Sequence, residues 1–334
     1  MLFTVVAFSI FMKFTLPLVL LLLFPFVCHA ATDEIDVNGT GGQKQQPIAS
    51  GTQESKVPTN LPAGVKAVMD LDYGGHGATN QKLDLFIPAT TKPLPLIIWV
   101  HGGGWQHPGK SPCSALQFIP RGYVVASINY RLTDEAIWPA QINDCKGAIR
   151  YLRAHAQDYH IDPDRVGVWG SSAGGHLVAM LGVSGGVKEL EGDVGGNLQY
   201  SSRVQAVCDW FGPTDLSQFT APHDPLTLVV SKLLGGPVGQ NQAQCRSASP
   251  ITYVNSEAPP FLIMHGSIDA MVPVSQSESL RDALQKAGVE VSFSLTPNRG
   301  HGYGSLALPA NFTMVGDFFD KHLKAARSPD GKGN

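Results

Sequence analysis

Three groups of residues in this chain have the types and spacing for acyl transfer. The first is Gly170-Ser171-Ser172-Ala173-Gly174, a GxSxG pattern with Ser172 at its centre. The register is unambiguous, because centring on Ser171 would require glycine where Trp169 stands. The pattern follows an expected strand and opens an expected helix. A sharp strand-to-helix turn strains the backbone of its central residue and lifts the hydroxyl to the sheet edge, and the helix dipole there favours developing negative charge.

The second group is His101-Gly102-Gly103-Gly104-Trp105, at the end of an apolar run. Three glycines let backbone amides approach a ligand. The amides of Gly103 and Gly104, with that of Ala173, are expected to form an oxyanion hole, in which losing one donor costs roughly 10²–10³ in rate. The third group lies late in the chain. A serine hydroxyl needs a base, and the base needs a carboxylate to fix its tautomer. With the order Ser…Asp…His, His301 in Arg299-Gly300-His301-Gly302 is the expected base and Asp269 the expected acid; Asp215 is the rival acid. His101, His176 and His265 read as structural. Trp105, Trp138, Trp210 and Tyr303, with Phe211, are candidates for a pocket wall or a sugar platform, whereas Trp99 and Trp169 read as core. No HExxH or close His/Cys/Asp spacing points to a metal, and the chemistry calls for no cofactor.

The elements that must position these groups alternate. Residues 65–73 and 81–87 read as an antiparallel pair. Apolar runs at 96–100, 123–130, 165–169, 204–210, 261–264 and 289–295 read as strands. Helix-period segments span about 139–156, 172–181, 275–287 and 309–325. Strands buried on both faces and alternating with helices make an α/β domain with a mostly parallel, eight-stranded sheet, whose ligands bind beyond the carboxyl ends of the strands. Residues 212–260 lack clear periodicity. That is long for a loop, and short helices bordering the site are expected there.

The N-terminus reads differently. Lys13, an apolar stretch to Val27 and Cys28-His29-Ala30 have the form of a secretory signal peptide over 1–30, with Met12 as a possible start. Residues 31–62 have the composition of a flexible linker, 63–327 form the expected catalytic domain, and 328–334 read as a disordered tail. A secreted or periplasmic location follows. Asn38 and Asn311 head glycosylation-type triplets. Export also permits disulfides. Cys113–Cys145 and Cys208–Cys245 are the favoured pairs, because each would join neighbouring segments of the expected fold; four free buried thiols are the alternative. Charged residues are 15% of the chain, with 24 Lys+Arg against 27 Asp+Glu. Such a balance offers nothing to neutralise nucleic acid, and no stable membrane partner is expected.

Together these motifs resemble the α/β-hydrolase superfamily. Within it, the HGGGW loop is similar to that of esterases and lipases, most closely the feruloyl-esterase-like and acetyl-xylan-esterase-like carbohydrate esterases. The carriers are the three groups above together with Ser127-Ile128-Asn129-Tyr130-Arg131-Leu132, Gly175-His176, Phe211-Gly212-Pro213-Thr214-Asp215 and His265-Gly266-Ser267-Ile268-Asp269. The resemblance runs from about residue 66 to 325, and with few residues between the expected linker and the glycine loop, an N-terminal helical cap of the hormone-sensitive-lipase type is not expected. It implies a Ser172–Asp269–His301 triad and cofactor-free hydrolysis of feruloyl or acetyl esters, with a small-molecule or polysaccharide ester as the partner. It fixes fold and machinery more tightly than substrate. Lipase, short-chain or polyester esterase and arylformamidase activities share the machinery. A non-catalytic binding protein on the same fold is the rival of another class.

Overall fold

The computed structural model describes residues 56–59 and 61–324. The expected signal peptide, all but the end of the linker, the tail, Cys28 and Asn38 lie outside the described residues. Eight strands form one sheet: β1 (Lys66–Asp72), β2 (Lys82–Ile87), β3 (Leu94–Val100), β4 (Val124–Ile128), β5 (Ile161–Ser171), β6 (Ala206–Trp210), β7 (Phe261–Gly266) and β8 (Val291–Thr296), in the order β1-β2-β4-β3-β5-β6-β7-β8. β2 is antiparallel to both its neighbours, and β4 through β8 run parallel across β3. The helices are α1 (Ala140–Ala154), α2 (Ala173–Val183), α3 (Pro225–Leu234), α4 (Gln242–Ser247), α5 (Val274–Lys286), α6 (Tyr303–Leu306) and α7 (Pro309–Leu323). No helix among the described residues is long and apolar enough to cross a membrane.

Strand alternation divides the interior into two cores. On β3, Leu96, Ile98 and Val100 face one core, which also holds apolar side chains of α1, α2 and α5. Ile97 and Trp99 face the other, with Phe118, Phe319 and Leu323 of the segment 114–121 and α7. A continuous apolar strand is thus explained by burial on both faces. All eleven residues of α2 are buried, so the helix behind Ser172 is fixed by packing along its whole length. The aperiodic stretch 212–260 contains α3, α4 and short 3₁₀ turns. Its hydrophobic periods are too short to register in sequence.

The same division corrects the disulfide expectation. Cys113, Cys145, Cys208 and Cys245 are all free and buried. Cys113 and Cys208 belong to one core, Cys145 and Cys245 to the other. Each favoured pair would have to pass through the sheet, and a disulfide spans only about 4.4–6.8 Å between Cα atoms. Burial pushes the Cys113 thiol up to about 12 and that of Cys245 up to about 11. Asn311 is likewise buried, its amide donating to the Leu306 carbonyl at 2.9 Å, so its triplet is not an accessible acceptor.

Candidate active site

β5 ends at Ser171 and α2 begins at Ala173, leaving Ser172 alone in the turn with φ +55° and ψ −119°. That left-handed backbone is costly for a residue with a Cβ. It is held from both sides: the Ser172 amide donates to the Trp210 carbonyl at the end of β6, and its carbonyl accepts from the His176 amide, both at 2.9 Å. The flanking glycines are packing requirements. A Cβ on Gly170 would strike the Gly174 carbonyl, and one on Gly174 would strike that of Val100. The GxSxG spacing therefore records where β3, β5 and α2 touch.

The glycine loop leaves β3 and turns left-handed over three residues, with φ +97° at Gly103, +61° at Gly104 and +55° at Trp105. No acceptor among the described residues takes up the amides of Gly103, Gly104 or Ala173. The loop is braced from β4 onward. Tyr130 donates its hydroxyl to the His101 carbonyl at 3.0 Å and stacks on the His101 ring at 4.3 Å. The Ser127 hydroxyl donates to the Lys110 carbonyl at 2.6 Å, and the Lys110 amide to the Asn129 side chain at 2.9 Å. The Ser127-to-Leu132 motif thus holds the loop rather than a substrate.

His301 joins the other two groups. Its Nε2 is 2.9 Å from Ser172 Oγ and its Nδ1 is 2.8 Å from Asp269 Oδ2. Phe211 meets the ring edge-on at 4.8 Å. Asp269 sits in the loop after β7, where Oδ1 accepts the Met271 and Val272 amides, each at 2.9 Å. Burial raises the proton affinity of Asp269, but hydrogen bonds from His265 and His301, then that of the Met271 amide, outweigh it and hold the carboxyl well below the usual carboxylate range. Asp215, the rival acid, instead caps the turn at 216–218 through the Ser217 amide. His101 and His176 are buried, and desolvation lowers each to about 4. Neutral imidazoles of this kind brace backbone: His176 Nε2 lies 2.7 Å from the Ala248 carbonyl.

A cavity of about 630 Å³ opens over Ser172 and His301. Its walls include Gly102–Gly104, Gln106, His107, Pro112, Phe211, Val229, Met271 and Tyr303. A second hollow of about 340 Å³ lies beyond Met271 and His301, lined by Pro225, Leu226, Ile268 and Ala270. Of the five aromatic residues expected at the pocket, Phe211 and Tyr303 line the cavity. Trp105, Trp138 and Trp210 are core residues, each no more than 1% exposed. Trp105 and Trp138 pack against His176 at 5.1 and 5.6 Å, and Trp210 stacks beneath Tyr303 at 5.6 Å. Neighbourhood in sequence misled here, because adjacent residues on a strand or turn face opposite ways. Trp99 is core yet also borders the cavity. Met271 stood two residues from the acid and could have been noticed. Val229 lies on α3, whose ends the sequence marks with Asp224 as N-cap, Pro225 in the first turn and Gly235 beyond the last turn. Among the described residues no cluster of His, Cys, Asp or Glu could hold a metal ion.

Residues 83–284 match the family model BD-FAE. The chain belongs to the BD-FAE family. This BD-FAE chain is 34% identical to Esterase LipQ of Mycobacterium tuberculosis over 74% of its own length and 60% of that protein. It therefore spans less than two thirds of that relative. Among solved structures it is similar to a truncated carbohydrate esterase from gut microbiota, with TM-score 0.73, 34% identity, and coverage of 78% of this chain and 96% of that one. It is also similar to an acetyl ester-xyloside bifunctional hydrolase from Caldicellulosiruptor lactoaceticus, with TM-score 0.63, 29% identity, and coverage of 72% and 87%. These relatives carry the α/β-hydrolase fold, which is that of the eight-stranded sheet above.

Proposed function

We propose that this chain is a secreted serine carboxylesterase that removes feruloyl or acetyl groups from plant polysaccharide. The observation that carries the reading is His301, hydrogen-bonded at 2.9 Å to Ser172 and at 2.8 Å to Asp269 beneath a glycine loop with unclaimed amides. In the proposed route, His301 Nε2 takes the Ser172 proton as Oγ bonds to the ester carbonyl carbon. The carbonyl oxygen becomes an oxyanion facing the amides of Gly103, Gly104 and Ala173. Collapse breaks the bond to the alcohol oxygen, which leaves with the proton from His301. Water then enters, gives a proton to His301 and attacks the acyl carbonyl carbon; as the bond to Ser172 Oγ breaks, His301 returns the proton to Oγ and the free acid leaves. Asp269 stays ionised throughout and stabilises the imidazolium.

The carbohydrate part of the reading draws on the gut-microbiota carbohydrate esterase and the acetyl ester-xyloside hydrolase. The export part draws on residues 1–30. A second reading, a carboxylesterase for short-chain or lipid esters, is favoured by the apolar wall of Pro112, Phe211, Val229 and Met271. One hydrolysis panel separates them: methyl ferulate, acetylated xylan, p-nitrophenyl acetate, p-nitrophenyl butyrate and N-formylkynurenine. The carbohydrate reading expects the highest kcat/KM on the first two. Preference for butyrate supports the second reading, and preference for N-formylkynurenine would overturn both. N-terminal sequencing of exported protein, expected to begin at Ala31, tests secretion.

A further inference from the structure

Asp269 Oδ2 receives a second histidine. His265 Nε2, at the end of β7, lies 3.2 Å from it and 3.0 Å from the Val272 carbonyl. Both neighbours are pure acceptors, so Nε2 carries the proton. The other ring nitrogen, Nδ1, lies 2.7 Å from the Ser277 hydroxyl on α5 and accepts from it. Asp269 is thus the midpoint of a chain running Ser277, His265, Asp269, His301, Ser172. The inner half is sealed: His265 and Ser277 are both 0% exposed. The loop carrying Asp269 is not, since Ile268 is 62% and Met271 51% exposed. A surface loop does not hold a carboxylate to a fraction of an ångström by itself, whereas a ring locked between a strand and a helix does.

We propose that His265 and Ser277 are positioning residues for the proposed hydrolysis: they hold Asp269 Oδ2 where it receives His301. The inference rests on reading Ser172, Asp269 and His301 as the triad. Ser277 selects the His265 tautomer that points N–H at the acid. Without that hydroxyl the ring can present a lone pair to the carboxylate, which repels it. The ionisable groups around His265 are Asp269 on the following loop, Asp209 on β6 and His301 beyond Asp269. Neither His265 nor Ser277 borders the cavity, so their loss should act on kcat rather than on binding.

The test compares His265→Leu, His265→Gln, Ser277→Ala and Ser172→Ala on p-nitrophenyl acetate, with a melting curve for each. His265→Leu should lower kcat roughly 10- to 100-fold, the scale of a misplaced catalytic group, with KM within about twofold. Ser277→Ala should lower kcat roughly three- to tenfold in the same way. His265→Gln should recover most of the loss, because its amide N–H can replace that at Nε2. Wild-type kcat in Ser277→Ala, or a loss in His265→Gln equal to that in His265→Leu, would overturn the proposal. Should His265→Leu not fold, Ser277→Ala and His265→Gln decide: reduced kcat in the first with near wild-type kcat in the second supports the proposal, and any other pattern sinks it. Full activity in Ser172→Ala sinks instead the triad reading beneath it.

Discussion

Two serine–histidine pairs meet on one carboxylate oxygen of Asp269. Their dimensions are nearly equal: 2.9 Å for Ser172–His301 and 2.7 Å for Ser277–His265. Only the outer pair faces a cavity, and only its serine sits in a left-handed turn at a helix start. Ser277 lies inside α5 with no exposed surface. A serine, a histidine and an aspartate within hydrogen-bonding distance therefore do not define a nucleophile. Exposure and donors aimed at a developing oxyanion do, and the inner pair has neither. On the proposed reading, the outer pair transfers protons and the inner pair stays still.

The sharpest way to break this comparison is at the serines. Ser172→Ala should lower kcat roughly 10⁴-fold or more, and a serine-reactive phosphonate should label Ser172 alone; mass spectrometry finding the label on Ser277 would erase the distinction. Asp269→Asn touches both pairs, and its kcat should fall by roughly 10⁴ through the wrong His301 tautomer. Gly104→Val affects the outer side only. The added side chain meets φ +61° and the Val229 methyl, displacing the loop, so kcat should fall roughly 10²-fold or more with the fold retained. Steady-state kinetics with a circular dichroism control checks both variants.

Asp209 separates stability from activity near the inner pair. Its Oδ1 accepts the Gly212 amide at 2.9 Å, while its buried Oδ2 has no partner among the described residues. Burial raises its pKa from 3.8 to about 6. A raised carboxyl favours the fold while protonated, so this contribution is full below pH 4 and is lost as pH rises through 6. Asp209→Asn should therefore be more stable than wild type by about 3 kcal/mol at pH 8, converging with it near pH 4. Urea unfolding at both values measures the difference. The smallest expected effect is at the thiols. Cys113, Cys145, Cys208 and Cys245 should ignore a thiol reagent in the native protein and react once it is unfolded; a native reaction would contradict their burial.

Much of this was legible in the residues. The GxSxG register, the glycine loop and the late Asp and His are local patterns, and each reports a backbone requirement confined to a few residues. Strand β3, the Val166–Trp169 part of β5, and most of β6 and β7 were visible because burial on both faces leaves them largely apolar. The borders of β5 were less so: it runs from Ile161 to Ser171, through Asp162-Pro163-Asp164-Arg165, whose polar side chains hide the strand. Helix α3 does not stand out by hydrophobic period, and only Asp224, Pro225 and Gly235 at its ends mark it in the sequence, although its Val229 lines the cavity.

By itself the sequence determined which residues could serve as nucleophile, base, acid and oxyanion donors, because steric rules at glycines and the chain order of the motif are written locally. Tertiary structure alone decided which side of the sheet each side chain meets. It separated the cysteines into two cores, withdrew Trp105, Trp138 and Trp210 from the pocket, and set His265 and Ser277 behind Asp269. The physical reason is that alternation along a strand is local, whereas the partner on each face comes from segments tens of residues away and is fixed only when both cores close.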